Sequence, residues 1–209
     1  MEVWGYIQGL LIYNIILISI NMKKDINFHK SLDILTKNLK SYPLSNYDIL
    51  NIEPNVKFTL STDLKYKRFA DELVNSQGIG VLLWLYKPNE GHYLGLIRNK
   101  ATKQIEIFDS YAFPFNNINS KLGSANMGVS PEILINLITS SGYKPVFNKK
   151  RLQSLKPNDN SCGRYVLLRL SLYQYDISTF HQVLNEIRKK HDINPLELSV
   201  LMTFKEIQK

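Results

Sequence analysis

The chain carries one cysteine, Cys162, in the segment Asn160-Ser161-Cys162-Gly163-Arg164-Tyr165, where a mostly apolar run opens. A thiol at a helix N-terminus meets the positive end of the helix dipole, which lowers its pKa, and an imidazolium beside it lowers it further. A thiolate–imidazolium pair is the nucleophile that acyl transfer needs. Of the four histidines, His29, His181 and His191 fall on predicted helices, whereas His92 falls at the start of a strand, in Gly91-His92-Tyr93. Asp109 closes the following strand, in Ile107-Phe108-Asp109-Ser110-Tyr111. If strands 93–97 and 104–108 pair as a hairpin, His92 and Asp109 reach the same end of it. The carboxylate can then accept the imidazole Nδ1–H and fix its tautomer and orientation. The oxyanion formed in acyl transfer needs donors, and the Cys162 backbone N–H with the Gln153 amide can supply them. Each residue also has a plain reading. A lone cysteine is more often an inert packed thiol; His92 fits a surface histidine, Asp109 a strand terminator, Gln153 a solvated amide. Their joint occurrence, in this order and at these junctions, favours the chemical reading.

The elements that must position them follow from periodicity and turn chemistry. Phe28, Leu32, Leu35 and Leu39 predict a helix over 28–39, ended before Pro43. A short helix is expected over 45–52, and another from a Ser61 or Thr62 cap to about Val74. Compact apolar runs over 81–86, 93–97 and 104–108, separated by turn residues, predict an antiparallel meander. A loop is expected over 112–128. Ser130-Pro131-Glu132 starts a helix that Ser141-Gly142 ends. A strand over 144–152 and a helix over 162–175, buried on most sides, follow. Helices capped by Ser178, to about Lys190, and over 195–204 close the chain. The order predicts one α+β domain over 1–209, with a catalytic core at 80–175.

Composition narrows the function. The 209 residues can bury a sizeable core, and one cysteine makes an intramolecular disulfide impossible, which points to a reducing compartment. One cysteine and four scattered histidines offer no zinc-type spacing, and no glycine-rich phosphate loop is present, so neither a metal nor a nucleotide cofactor is expected. The net charge of +8, from 26 basic and 18 acidic residues, is dispersed and compatible with non-specific DNA contact. Residues 1–21 form an apolar segment, Val3 to Ile20 falling at the margin of a membrane span. It reads foremost as a buried or docking helix, with a membrane anchor and a weakly ordered extension as alternatives.

The order of His92, Asp109, Gln153 and a Cys162-Gly163 that opens a buried helix resembles the adenovirus-type and SUMO-protease-like (Ulp-type) cysteine proteases. The Asp109-Ser110-Tyr111 and Gln153-Ser154…Cys162-Gly163-Arg164-Tyr165 elements look most like the maturation proteases of virophages and Polinton-type elements. The resemblance covers about residues 80–175. It implies a papain-like fold, with a central, mostly antiparallel sheet packed on the helix that begins at Cys162. It implies His92 as base, Asp109 as its orienting acid, Cys162 as nucleophile and Gln153 as oxyanion donor, with Trp84 and Tyr93 as substrate-binding aromatics. Capsid and minor virion precursors would be the substrates, the virion and host cytoplasm the locations, and DNA or a peptide a conceivable activator. Two departures stand out. Tyr93 replaces the usual Trp after the histidine. The nine-residue step from Gln153 to Cys162 exceeds the group's spacing, which leaves Lys156 nearer the usual amide position and Asn158 or Asn160 as alternative donors. Two other functions fit the sequence: a deconjugase for ubiquitin-like proteins, with Trp84 and Tyr93 walling its tunnel, and a non-enzymatic virion or membrane-docking protein on the same fold.

Overall fold

The computed structural model describes residues 26–122 and 127–207. Residues 1–21, expected as an apolar leader, lie outside them. Among the described residues no helix is long and apolar enough to cross a membrane.

Five strands form one sheet in chain order: β1 (Lys57–Leu60), β2 (Ile79–Lys87), β3 (Glu90–Asn99), β4 (Gln104–Phe108) and β5 (Lys144–Phe147). The meander holds. β2, β3 and β4 pair antiparallel, with Asn89 (φ 63°) taking the left-handed conformation in the first tight turn. The outer pairings, β1 with β2 and β4 with β5, are parallel, so the sheet is mixed, antiparallel at its centre and parallel at both edges. The cause is the length of the connections. Residues 61–78 and 109–143 are crossovers that return the chain to the starting end of the sheet, and a crossover makes its two strands parallel.

Both faces of the sheet are covered, which explains why β2 reads as an unbroken apolar run. One face packs on α5 (Cys162–Ser171): β3 lies against the helix, Gly95 meeting Val166 and Leu170, and Val81, Leu83 and Leu85 of β2 join the same core. α7 (Pro195–Ile207) packs on α5, α1 (Ile26–Leu39) and α2 (Asn46–Ile52) pack on α7, and α6 (Ile177–His191) adds Phe180, Leu184 and Ile187 to the same core. The other face sends Leu82, Trp84, Leu94 and Leu96 against α4 (Pro131–Ser140) and the turns before β2. Alternation along β2 thus divides one apolar run between two cores.

Several expected bounds shift for local reasons. The helix expected from Ser61 to Val74 is two 3-10 turns, Ser61–Tyr66 and Ala70–Leu73, since Phe69 stays 61 % exposed and the segment buries no continuous stripe. The expected loop over 112–128 contains a 3-10 turn (Phe115–Asn117) and the short helix α3 (Ile118–Leu122), which buries Phe115 and Ile118. The strand expected to Leu152 stops at Phe147. After it, the Leu152 and Gln153 N–H groups donate instead to the Ser110 carbonyl. α5 stops at Ser171, not Tyr175. The Arg169 guanidinium takes the Leu172 and Tyr175 carbonyls, each at 2.8 Å, and grips Glu106 of β4 through two further bonds of 2.8 and 2.7 Å. α6 is capped by Asp176, whose carboxylate accepts the Thr179 N–H at 2.8 Å, in place of the expected Ser178.

Candidate active site

Cys162 is the first residue of α5, and the helix can start beside β3 because Gly163 has no side chain. A Cβ there would lie 3.1 Å from the Tyr93 ring and 3.3 Å from both Ile49 and Leu44. The thiol thereby comes against the start of β3, where His92 stands 3 % exposed. Gly95 pairs with Phe108 in the β3–β4 ladder, so Asp109 emerges beside His92 one residue past β4. The His92 Nε2–H donates to Asp109 Oδ1 at 2.7 Å. The expected contact was through Nδ1. The ring approaches the carboxylate with its far nitrogen, which leaves Nδ1 for the thiol.

Asp109 is itself held from several directions. Its carboxylate accepts the Tyr111 N–H at 2.8 Å and the Phe113 N–H at 2.9 Å. Its backbone N–H and carbonyl are clamped by the Asn148 side chain, both bonds at 2.7 Å. These bonds set the electrostatics. Burial alone would raise the Asp109 pKa, but the bonds from His92 and the two N–H groups hold it below the usual carboxylate value. Burial would lower His92, yet the hydrogen bonds and charges of Asp109 and Cys162 prevail and raise it to about 10. Burial would likewise raise Cys162. The His92 hydrogen bond and charge, with the Tyr93 and Gly163 N–H groups, bring the thiol below its ordinary value. The three directions agree on a thiolate beside an imidazolium.

Gln153 reaches the same cleft despite the long step to Cys162. Residues 154–158 loop outward and are exposed, Asn158 turning through φ 69°, and the chain returns at the buried Asp159. The Gln153 amide is fixed at both ends. Its Oε1 accepts the Ser110 hydroxyl at 2.6 Å, and its Nε2 donates to the Asp159 carbonyl at 2.7 Å and the Tyr111 hydroxyl at 3.1 Å. Lys156 and Asn158 lie on the exposed loop, while Asn160 lines the cleft but commits its amide to the Ser41 carbonyl at 2.8 Å.

The two expected substrate-binding aromatics part company. Tyr93 lines the cleft and donates its hydroxyl to Asn46 at 2.8 Å. Trp84 does not line it. It is 1 % exposed in the opposite core, where its indole N–H donates to Asn119 at 2.8 Å, because β2 turns it away from the face that carries Leu83 and Leu85. The aromatic that sequence reasoning left without a role is Tyr111. Its ring stacks on His92 with centroids 4.8 Å apart and 20° between planes, and Phe113 stacks behind it at 5.0 Å. Asn148 was also missed, and nothing local marks it, since its partner Asp109 is 39 residues away.

The cleft over Cys162 has a volume of about 650 Å³, and Tyr47, Tyr86, Tyr93 and Tyr111 stand in its wall. Among the described residues, the charged lining residues besides the catalytic candidates are Glu90 and Asp159. Among the described residues no cluster of three or more His, Cys, Asp or Glu side chains is placed to hold a metal ion.

No family model matches the chain. Over 175 residues it is 28 % identical to an uncharacterized protein of the Sputnik virophage, a match that spans 80 % of this chain and 99 % of that protein. The chain is thus a distant homologue of a virophage protein.

Proposed function

We propose that the chain is a cysteine endopeptidase on a papain-like fold of the adenovirus and Ulp type, and that it cuts capsid or minor virion protein precursors during maturation. One observation carries the reading: a helix-terminal thiol and a buried carboxylate stand on either side of the same imidazole. The virophage relation supports the viral setting, with the virion and the host cytoplasm as its places of action.

The chemistry is acyl transfer. The Cys162 sulfur attacks the scissile carbonyl carbon, a C–S bond forms, and the carbonyl π pair moves to oxygen. On collapse the C–N bond breaks and the departing amine takes the proton from His92. Water, deprotonated by His92, then attacks the thioester and releases the acid and the thiol. Asp109 keeps the imidazolium oriented throughout and does not give up its charge.

A deconjugase would use the same residues on another substrate; of its two expected tunnel-wall aromatics, Tyr93 lines the cleft and Trp84 packs in the second core. The non-enzymatic reading rests on residues 1–21 and on the charge, and leaves the Cys162–His92–Asp109 arrangement without a purpose. The test is incubation of capsid and minor virion precursors with the wild-type chain and with Cys162→Ala, with and without DNA. Cleavage by the wild type alone supports the proposal, and any stimulation by DNA gives the basic balance a role. Absence of cleavage, with labelling by a ubiquitin-like probe that carries a C-terminal electrophile, would replace it with the deconjugase.

A further inference from the structure

The Gln153 amide has little left to give an oxyanion. One Nε2–H is directed to the Asp159 carbonyl and the other to the Tyr111 hydroxyl. The Tyr111 hydroxyl accepts that bond, so its own proton remains to be donated, and no hydrogen bond uses it among the described residues. The ring that carries it is fixed on both faces by His92 and Phe113. Its backbone is fixed too: the Tyr111 N–H donates to Asp109 at 2.8 Å, and the carbonyl accepts the Arg151 Nε–H at 3.2 Å. Tyr111 lines the same cleft as Cys162 and Gln153, and its hydroxyl is the end that meets the Gln153 amide.

We propose that the Tyr111 hydroxyl donates a hydrogen bond to the oxyanion formed at Cys162, and that Gln153 acts through it. The inference rests on the acyl-transfer reading of Cys162. As the C–S bond forms and the π pair moves to oxygen, the Cys162 N–H meets the developing charge from the helix end, where it has no intrahelical acceptor. The Tyr111 O–H meets it from the Gln153 side. Accepting a bond from the amide polarises the hydroxyl and makes it the stronger donor. The proton never leaves Tyr111. Burial first, and then the neighbouring thiolate, push its pKa well above the ordinary tyrosine value. Donation is therefore by hydrogen bond alone, and the leaving amine still draws its proton from His92.

Two reactions of the same thiol separate this role from simple positioning. Acylation by N-acetylglycine p-nitrophenyl ester, followed as the burst of p-nitrophenol, passes through an oxyanion. Alkylation by iodoacetamide does not. Tyr111→Phe keeps the ring and its stacking. It is expected to slow acylation on the order of 10²-fold, the usual effect of one oxyanion donor, and to leave the alkylation rate unchanged. Gln153→Ala, which frees the hydroxyl from its holder, is expected to slow acylation in the same way. Acylation by Tyr111→Phe at the wild-type rate would overturn the proposal, and if Gln153→Ala were then slow the amide would be the direct donor. Equal slowing of both reactions by Tyr111→Phe would also overturn it, reducing Tyr111 to a support for His92. A wild-type protein that alkylates but shows no burst would instead refute acyl transfer at Cys162, and the Tyr111 donor with it.

Discussion

Replacing Asp109 with asparagine removes one charge and keeps the shape. Asp109 Oδ1 serves both His92 Nε2–H and Tyr111 N–H, and Oδ2 serves Phe113 N–H. An asparagine has one acceptor oxygen. If it takes the Oδ1 place, its NH₂ group confronts the Phe113 N–H, and His92 keeps only a neutral acceptor. If it takes the Oδ2 place, the NH₂ group confronts His92 and Tyr111 together. The first arrangement is the milder, and in both the imidazolium loses its charged partner. A hydrogen bond to a charged group contributes about 1.5–3 kcal/mol, and each ~1.36 kcal/mol is tenfold, so the thiolate–imidazolium form weakens by about 10- to 150-fold. The assay is the second-order rate of iodoacetamide alkylation at pH 6, where an ordinary thiol is almost wholly protonated. Asp109→Asn is expected to alkylate more slowly, by up to that factor, while keeping a native near-UV spectrum. A folded variant that alkylates at the wild-type rate would refute the claim that Asp109 sustains the ion pair.

The pH dependence of the two reactions should differ. Alkylation should extend to lower pH than for an ordinary thiol, since the Cys162 pKa lies below its usual value, whereas peptide hydrolysis also needs the His92 proton and falls as pH rises through about 10; parallel pH profiles up to pH 11 would contradict this. Arg169→Met strands Glu106 in the interior without its two guanidinium bonds, and urea denaturation should show a loss of about 3–5 kcal/mol. Trp84→Ala should cost about 3–5 kcal/mol of stability in urea denaturation, because the indole fills the second core. Gly163→Ala places a methyl 3.1 Å from the Tyr93 ring, so alkylation at pH 6 should fall as the thiol is moved off His92, and a wild-type rate would show that α5 has room to spare.

The site was legible because its residues sit at junctions that short-range signals mark. Turn residues bound β3 and β4, and that hairpin alone brings His92 to Asp109. The small Gly163 beside Cys162 marks a helix that begins in a tight place. What escaped depended on partners far along the chain. β1 is four residues long, and its parallel pairing with β2 becomes visible only once the crossover is folded. The apolar run Val81-Leu82-Leu83-Trp84-Leu85 reads equally well with either face toward the cleft, so Trp84 was given to substrate when the opposite core claims it. The Nε2 contact and the Asn148 clamp are set by side-chain orientation, which spacing does not encode. The excess residues before Cys162 looked like a threat to Gln153. They form an outward loop that leaves the glutamine in place, because Ser110 and Asp159 hold it at both ends.

The proposed chemistry requires that substrate acylate Cys162. Mass spectrometry of the wild-type chain, acid-quenched within seconds of mixing with a capsid precursor or with N-acetylglycine p-nitrophenyl ester, reads this directly. A thioester is expected on the peptide that contains Cys162, released by hydroxylamine and absent from Cys162→Ala and from His92→Ala. An unmodified Cys162 in a folded, wild-type protein, or an adduct on a lysine alone, would contradict it.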